Sequence, residues 1–126
     1  MPTQEIPREG WSEFFRGFNS AHHGWLATIE VFGSEFGAQV EARELPFEGI
    51  TADLRKADQV NISLMVGRTP DEHVTHTIAE PTHVRIDQTK EGAKESLQIE
   101  SAGEIVTLLH FRSPEFPDSP YDTIVE

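Results

Sequence analysis

Residues 59–87, QVNISLMVGRTPDEHVTHTIAEPTHVRID, hold three apolar–polar alternations separated by two breaks that each carry a proline. Val60, Ile62, Leu64 and Val66 occupy alternate positions, so an extended chain puts all four on one face and turns Asn61, Ser63 and Met65 to the other. Arg68-Thr-Pro-Asp71 reverses the chain, because Pro70 presets the φ angle of a type I turn and Asp71 can bond its own backbone. Val74, His76 and Ile78 then alternate, Glu80-Pro81 interrupts them, and Val84 and Ile86 begin a third set. Such a pattern folds as an antiparallel meander.

Upstream, the period is helical. Trp11, Phe14, Phe15 and Phe18 fall at i, i+3, i+4 and i+7, with Glu9, Glu13 and Arg16 on the other side, which predicts one amphipathic helix over about 7–20. Pro7 suits its first turn and Gly24 its stop, and the aromatic stripe is expected to pack on a sheet. His22 and His23 fall at its C-terminal end, where a cationic imidazole is favoured.

From Gly24 onward the period is two. Trp25, Ala27, Ile29 and Val31 make one strand; Ala38, Val40 and Ala42 make its hairpin partner across Gly33–Gly37; Leu45–Gly49 reads as a turn and Ile50–Leu54 as a short strand. Leu97 and Ile99 pair with Ile105–Phe111 across Ser101–Glu104, and Lys90–Glu95 is a charged connector. About eight short strands follow, in an α+β domain over 1–112 whose strongly bent antiparallel sheet or small barrel carries the N-terminal helix. Residues 113–126, with Pro114, Pro117 and Pro120 among acids, read as an extended or mobile tail.

Ten basic against twenty-two acidic residues give a net charge of −12. That charge repels a phosphate backbone and argues against nucleic-acid binding, while leaving open an acidic imitation of nucleic acid. The chain has no cysteine, so disulfides, thiolate metal sites and a cysteine nucleophile are excluded, and a reducing, cytoplasmic location is expected. No apolar run approaches the ~20 residues of a membrane span.

Catalytic signatures are missing. Gly33-Ser-Glu-Phe-Gly37 has neither the spacing of a dinucleotide fingerprint nor the lysine of a phosphate loop, and no serine sits in a nucleophile elbow. Histidine is the one suggestive group: His73, His76 and His83 lie within eleven positions, with His110 later. These three are the candidate ligand-binding residues. A strand turns positions three apart to opposite faces, so His73 and His76 converge only if His73 belongs to the turn. No metal or other cofactor is expected. Arg43, Arg55, Arg68, Arg85 and Arg112 read as surface partners of the acidic excess.

The segments IPREGWSEFF, HHGWLATIEV, GAQVEARELPFEGITADL and HVTHTIAEPTHVRI, with the terminal hairpin, resemble an uncharacterised bacterial family of short domains of unknown function. The resemblance covers nearly everything but the tail. It implies a bacterial, intracellular, stand-alone domain and no particular reaction; His73 and His76 recur in its pattern. The expected function is a non-catalytic binding domain for a protein or small molecule, with a homodimer among its states. The alternatives are a small enzyme built on a histidine of 73–83 with a nearby carboxylate, and the acidic mimic.

Overall fold

Proline decides where the first elements begin. Pro7 sits at φ −62° and ψ 150°, and its ring disfavours a helical Ile6, so the chain is still extended where a helix was expected to start. Thr3–Ile6 is a strand, β1; a 3-10 turn covers Arg8–Gly10, and the helix α1 runs over Trp11–His22. The computed structural model describes residues 3–35, 37–56, 59–67, 69–88 and 94–112. The expected tail at 113–126, most of the Lys90–Glu95 connector, Asp58 and Arg68 lie outside them.

Seven further strands follow: β2 (Leu26–Gly33), β3 (Gly37–Asp53), β4 (Asn61–Gly67), β5 (His73–Ala79), β6 (Pro81–Gln88), β7 (Lys94–Ser101) and β8 (Ile105–Arg112). The expected number is met by compensation, since β1 was unforeseen and two expected strands are one continuous β3. All pairings are antiparallel, in the order β1-β6-β7-β8-β2-β3-β4-β5. The fold is α+β, as the alternations indicated. In place of the turn expected at Leu45–Gly49, β3 bends: Glu44 takes φ 51°, and the strand leaves β2 after Pro46 to pair with β4 from Phe47 onward.

A second corner lies at Glu80, which alone separates β5 from β6 and takes φ 52°. β5 is one edge of the sheet and β6 is next to the other edge, so this single residue draws the two ends of the sheet together. Glu80 N–H donates to the Val60 carbonyl and its carbonyl accepts from Ala102 N–H, both at 3.1 Å. The sheet is therefore coiled but not closed. Left-handed glutamates at both corners cost roughly 1–2 kcal/mol each, which the surrounding pairing must offset.

α1 fills the concave side. Trp11, Phe15 and Phe18 are buried with Ile29, Phe47, Ile50, Ile62, Leu64, Val84, Leu97, Leu109 and Phe111 in one core. Phe18 meets Phe111 and Phe47 edge-on at 5.1 and 5.9 Å, and Trp11 Nε1 donates to the Ile6 carbonyl at 2.9 Å. His22 belongs to this core rather than to solvent. Its Nδ1 donates to the Phe18 carbonyl at 2.9 Å and its ring stacks on Phe18 at 4.1 Å, so the last turn of the helix packs its histidine inward.

Where β3 leaves β2, its freed edge is met by the helix. Asn19 Nδ2 donates to the Ile50 carbonyl at 3.0 Å, and Ile50 N–H donates to Asn19 Oδ1 at 2.9 Å. Phe47 N–H donates to the Trp25 carbonyl at 2.7 Å, and Gly24 N–H to the Phe47 carbonyl at 3.0 Å. On the first half of β3, Ala42 faces in against Ile29, but a register shift turns Val40 out beside Glu30, leaving it 42% exposed. The expected single face for Ala38, Val40 and Ala42 is thus broken by a bulge.

Two substitutions probe this fold. Thr107 is 1% exposed, and its Oγ1 finds no hydrogen-bond partner among the described residues, so Thr107→Val should raise the unfolding free energy by about 1 kcal/mol in urea titration. Gly67 holds φ 149°, and a Cβ there would overlap the Glu72 carbonyl and lie 2.7 Å from His73 Cα. Gly67→Ala should cost about 2–4 kcal/mol in the same titration, since the obstacle is backbone that cannot swing aside.

Candidate functional site

The bonding parity of β3, β4 and β5 follows from Asn19. With Ile50 N–H and C=O both turned to the helix, the Ile50–Leu64 pair exchanges no bonds, and the ladder runs through Thr51–Ser63 and Asp53–Asn61 instead. Ile62, Leu64 and Val66 must then bond toward β5, where they face Ile78, His76 and Val74. Glu80 N–H bonding the Val60 carbonyl continues the same alternation. The N–H and C=O groups of His73, Thr75, Thr77 and Ala79 therefore project from the sheet edge, and no strand pairs with them among the described residues.

This edge is unguarded. The strand HVTHTIA has no proline, lysine or acid, and its register with β4 is unbroken over seven residues. Natural edges are commonly blunted by charge, proline or a bulge. The opposite edge, β1, is only four residues long and is bracketed in sequence by Pro2 and Pro7.

Of the candidate histidines, two stand on β5 and point to opposite sides. His73 faces out, and its Nε2 lies 2.8 Å from Glu48 Oε1; the two meet across Gly67, the residue paired with His73 on the intervening strand. His76 faces in with Val74 and Ile78, half-buried and paired with Leu64. Burial holds its imidazole below the usual 6.5, and the Glu41 carboxylate pulls it partly back. His83 is on the outer face of β6, near the far edge of the sheet, with Nδ1 2.7 Å from Glu5 Oε2. The three do not line one pocket, and no three His, Asp or Glu side chains among the described residues are placed to hold a metal ion.

The outer face carries polar rows that the sequence did not reveal. Glu5 also meets Arg85 Nε at 3.4 Å, while Arg85 donates to Glu100 at 2.6 Å. The His83 hydrogen bond, then the charges of His83 and Arg85, keep the Glu5 carboxyl below its usual range. Further along, Ser96 Oγ is 3.1 Å from His110 Nδ1, and His110 Nε2 is 3.2 Å from Glu30 Oε1. These come from three strands and are adjacent only through register, with Ser96 directly opposite His110. This is a serine, a histidine and an acid in a row, but on the open face of central strands, whose amides are committed to the ladder and cannot stabilise an oxyanion. Glu5, Glu30, Glu44, Glu48, Asp53 and Glu100 each pair with a base.

The His76 environment makes stability pH-dependent. Its folded pKa is depressed, so as pH falls below about 6.5 the unfolded chain takes up the proton first and stability declines until the folded state is protonated too. The difference in unfolding free energy between wild type and His76→Leu should therefore shift against the wild type between about pH 7 and pH 5, and be constant above about pH 7.5. Urea titrations at stepped pH measure it.

Comparison with known proteins gives a family and a fold. The model of a family of unknown function (DUF5335) matches residues 2–120. No curated protein matches the chain. The crystal structure of the Bacillus subtilis YojF protein is similar over 93% of this chain and 99% of its own, with a TM-score of 0.54 and 8% identity, a likeness of fold alone.

Proposed function

The chain belongs to DUF5335, a family of unknown function, and we propose that it is a non-catalytic interaction domain which works as a homodimer joined edge to edge through β5. The observation that carries this reading is the unguarded edge: outward backbone groups on His73, Thr75, Thr77 and Ala79, in a strand without a charged acid or base other than histidine. A second copy is the partner that this edge fits. Two chains carrying −12 each repel over most of their surfaces, and β5 itself carries no acid, while the nearby Glu48 is taken up by His73.

A twofold axis at His76 sets Thr75 opposite Thr77 of the second copy and His73 opposite Ala79. All four outward residues then fall in hydrogen-bonded pairs, each exchanging two bonds. His76 meets its own counterpart as a close, non-bonded pair on the inner face, where the neutral imidazole favoured by burial avoids repulsion. Leu64 on β4 and Glu41 on β3 are the other groups that act on it. The role assigned to His73 and His76 is thus contact at an interface. A cysteine-free chain in which no described helix is long and apolar enough to cross a membrane supports a cytoplasmic setting.

Thr75→Pro tests the proposal cleanly, because Thr75 N–H points away from β4 and its loss removes no bond among the described residues. Sedimentation at about 50 µM, above the micromolar range typical of modest interfaces, should give the mass of two chains for the wild type and of one for Thr75→Pro, with unchanged circular dichroism. A monomeric wild type, or a dimeric and folded Thr75→Pro, overturns the β5 dimer.

A further inference from the structure

The parity that frees the edge of β5 also frees one residue of β3. Ala52 pairs with Ile62 two positions beyond the Ile50–Leu64 pair, so its N–H and C=O point, like those of Ile50, to the side occupied by α1. At Ile50 the Asn19 carboxamide takes both groups, behaving as one amide of a neighbouring strand. At Ala52 no group among the described residues does so. What lies there is a groove of about 280 Å³ lined by Ser12, Phe15, Arg16, Asn19, Ile50, Thr51 and Ala52. It continues past Asp53 and Leu54 to Arg55.

We propose that this groove binds an extended peptide segment carrying acidic side chains, whose backbone amide takes at Ala52 the place that Asn19 takes at Ile50. The floor is apolar, from Phe15, Ile50 and Ala52, and suits one side of an extended chain. Its rim carries two cationic side chains, Arg16 and Arg55, against one acid, Asp53, in a chain that is otherwise strongly acidic. Arg16 stands on the exposed side of α1 with no ion pair among the described residues. Arg55 is oriented by two bonds to Asp53, at 3.0 and 2.9 Å, yet its side chain is 87% exposed and keeps donors for another carboxylate. Arg55 satisfies the Asp53 carboxylate so well that its pKa falls to about 2, which leaves it charged but engaged. Ser12 and Thr51 also line the groove. Asn19 is thereby a positioning residue for the edge as well as a tie between helix and sheet.

The site does not rest on the β5 dimer, and it should persist in Thr75→Pro. Its test is a nitrogen-15 amide-shift titration of the full chain with the blocked peptide acetyl-Val-Asp-Val-Asp-amide, using acetyl-Val-Lys-Val-Lys-amide as charge control. The aspartyl peptide should shift Ser12, Thr51 and Ala52 with a millimolar dissociation constant, the range open to a short contact of this size, while the lysyl peptide does not. Arg16→Gln, on an exposed helix face, should weaken binding about tenfold. Ala52→Pro, which removes the free N–H and no ladder bond, should weaken it as much. Equal shifts from both peptides, no shift at about 10 mM, or an Arg16→Gln protein that binds like the wild type would overturn the proposal.

Discussion

β3 cannot keep one partner along its length, and the remainder of the architecture answers that constraint. Its first half belongs to β2 and its second to β4, so at Pro46 the sheet turns through a corner and one edge of the second half is stripped of its neighbour. Buried backbone groups left without partners would be costly. α1 supplies the missing partners through Asn19, and the chain following it does so through Gly24 and Trp25. The aromatic stripe then has one possible seat, against Phe47 and Phe111 where the corner opens. The helix, usually described as packing on a sheet, here substitutes for part of a strand.

The same alternation explains where the molecule is open. Bonding parity passes from Ile50 through β4 to β5, so capping Ile50 simultaneously leaves Ala52 on one side and His73, Thr75, Thr77 and Ala79 on the other without a backbone partner among the described residues. Both proposed contact surfaces are thus consequences of one pairing pattern. They are also the places where charge does not oppose approach. Elsewhere on the sheet, acids are tied to histidines and arginines in cross-strand pairs such as Glu5 with His83 and Glu44 with Arg112. Exposed pairs of this kind add little stability and instead keep an acidic outer surface from repelling itself.

Much of the fold was legible before the structure. Val60, Ile62, Leu64, Val66, Ile29, Leu97 and Ile99 lie on the core face, and Trp11, Phe15 and Phe18 form the buried stripe, because alternation and helical spacing are local properties of the chain. The misreadings have equally local causes. The helix was started at about residue 7 although the chain is still extended at Pro7, and Glu44 gives no composition signal for a corner because it is neither glycine nor asparagine. The candidate site was legible only in part: His73 and His76 do lie on the exposed edge, while His83 does not join them. Arg16, Ala52 and Ser96 had no signal at all, since the groove and the polar row they belong to are assembled from segments far apart in the chain.

The amino-acid sequence by itself determined an acidic, cysteine-free α+β chain, its strand faces and its single aromatic helix, since periodicity and composition need no knowledge of neighbours. Only the tertiary structure decided which strands stand side by side, which edges stay bare and which histidines part company. Those outcomes depend on pairing partners and on hydrogen-bond parity transmitted across strands, and a one-residue change of register reverses parity while leaving every local pattern in the sequence unchanged.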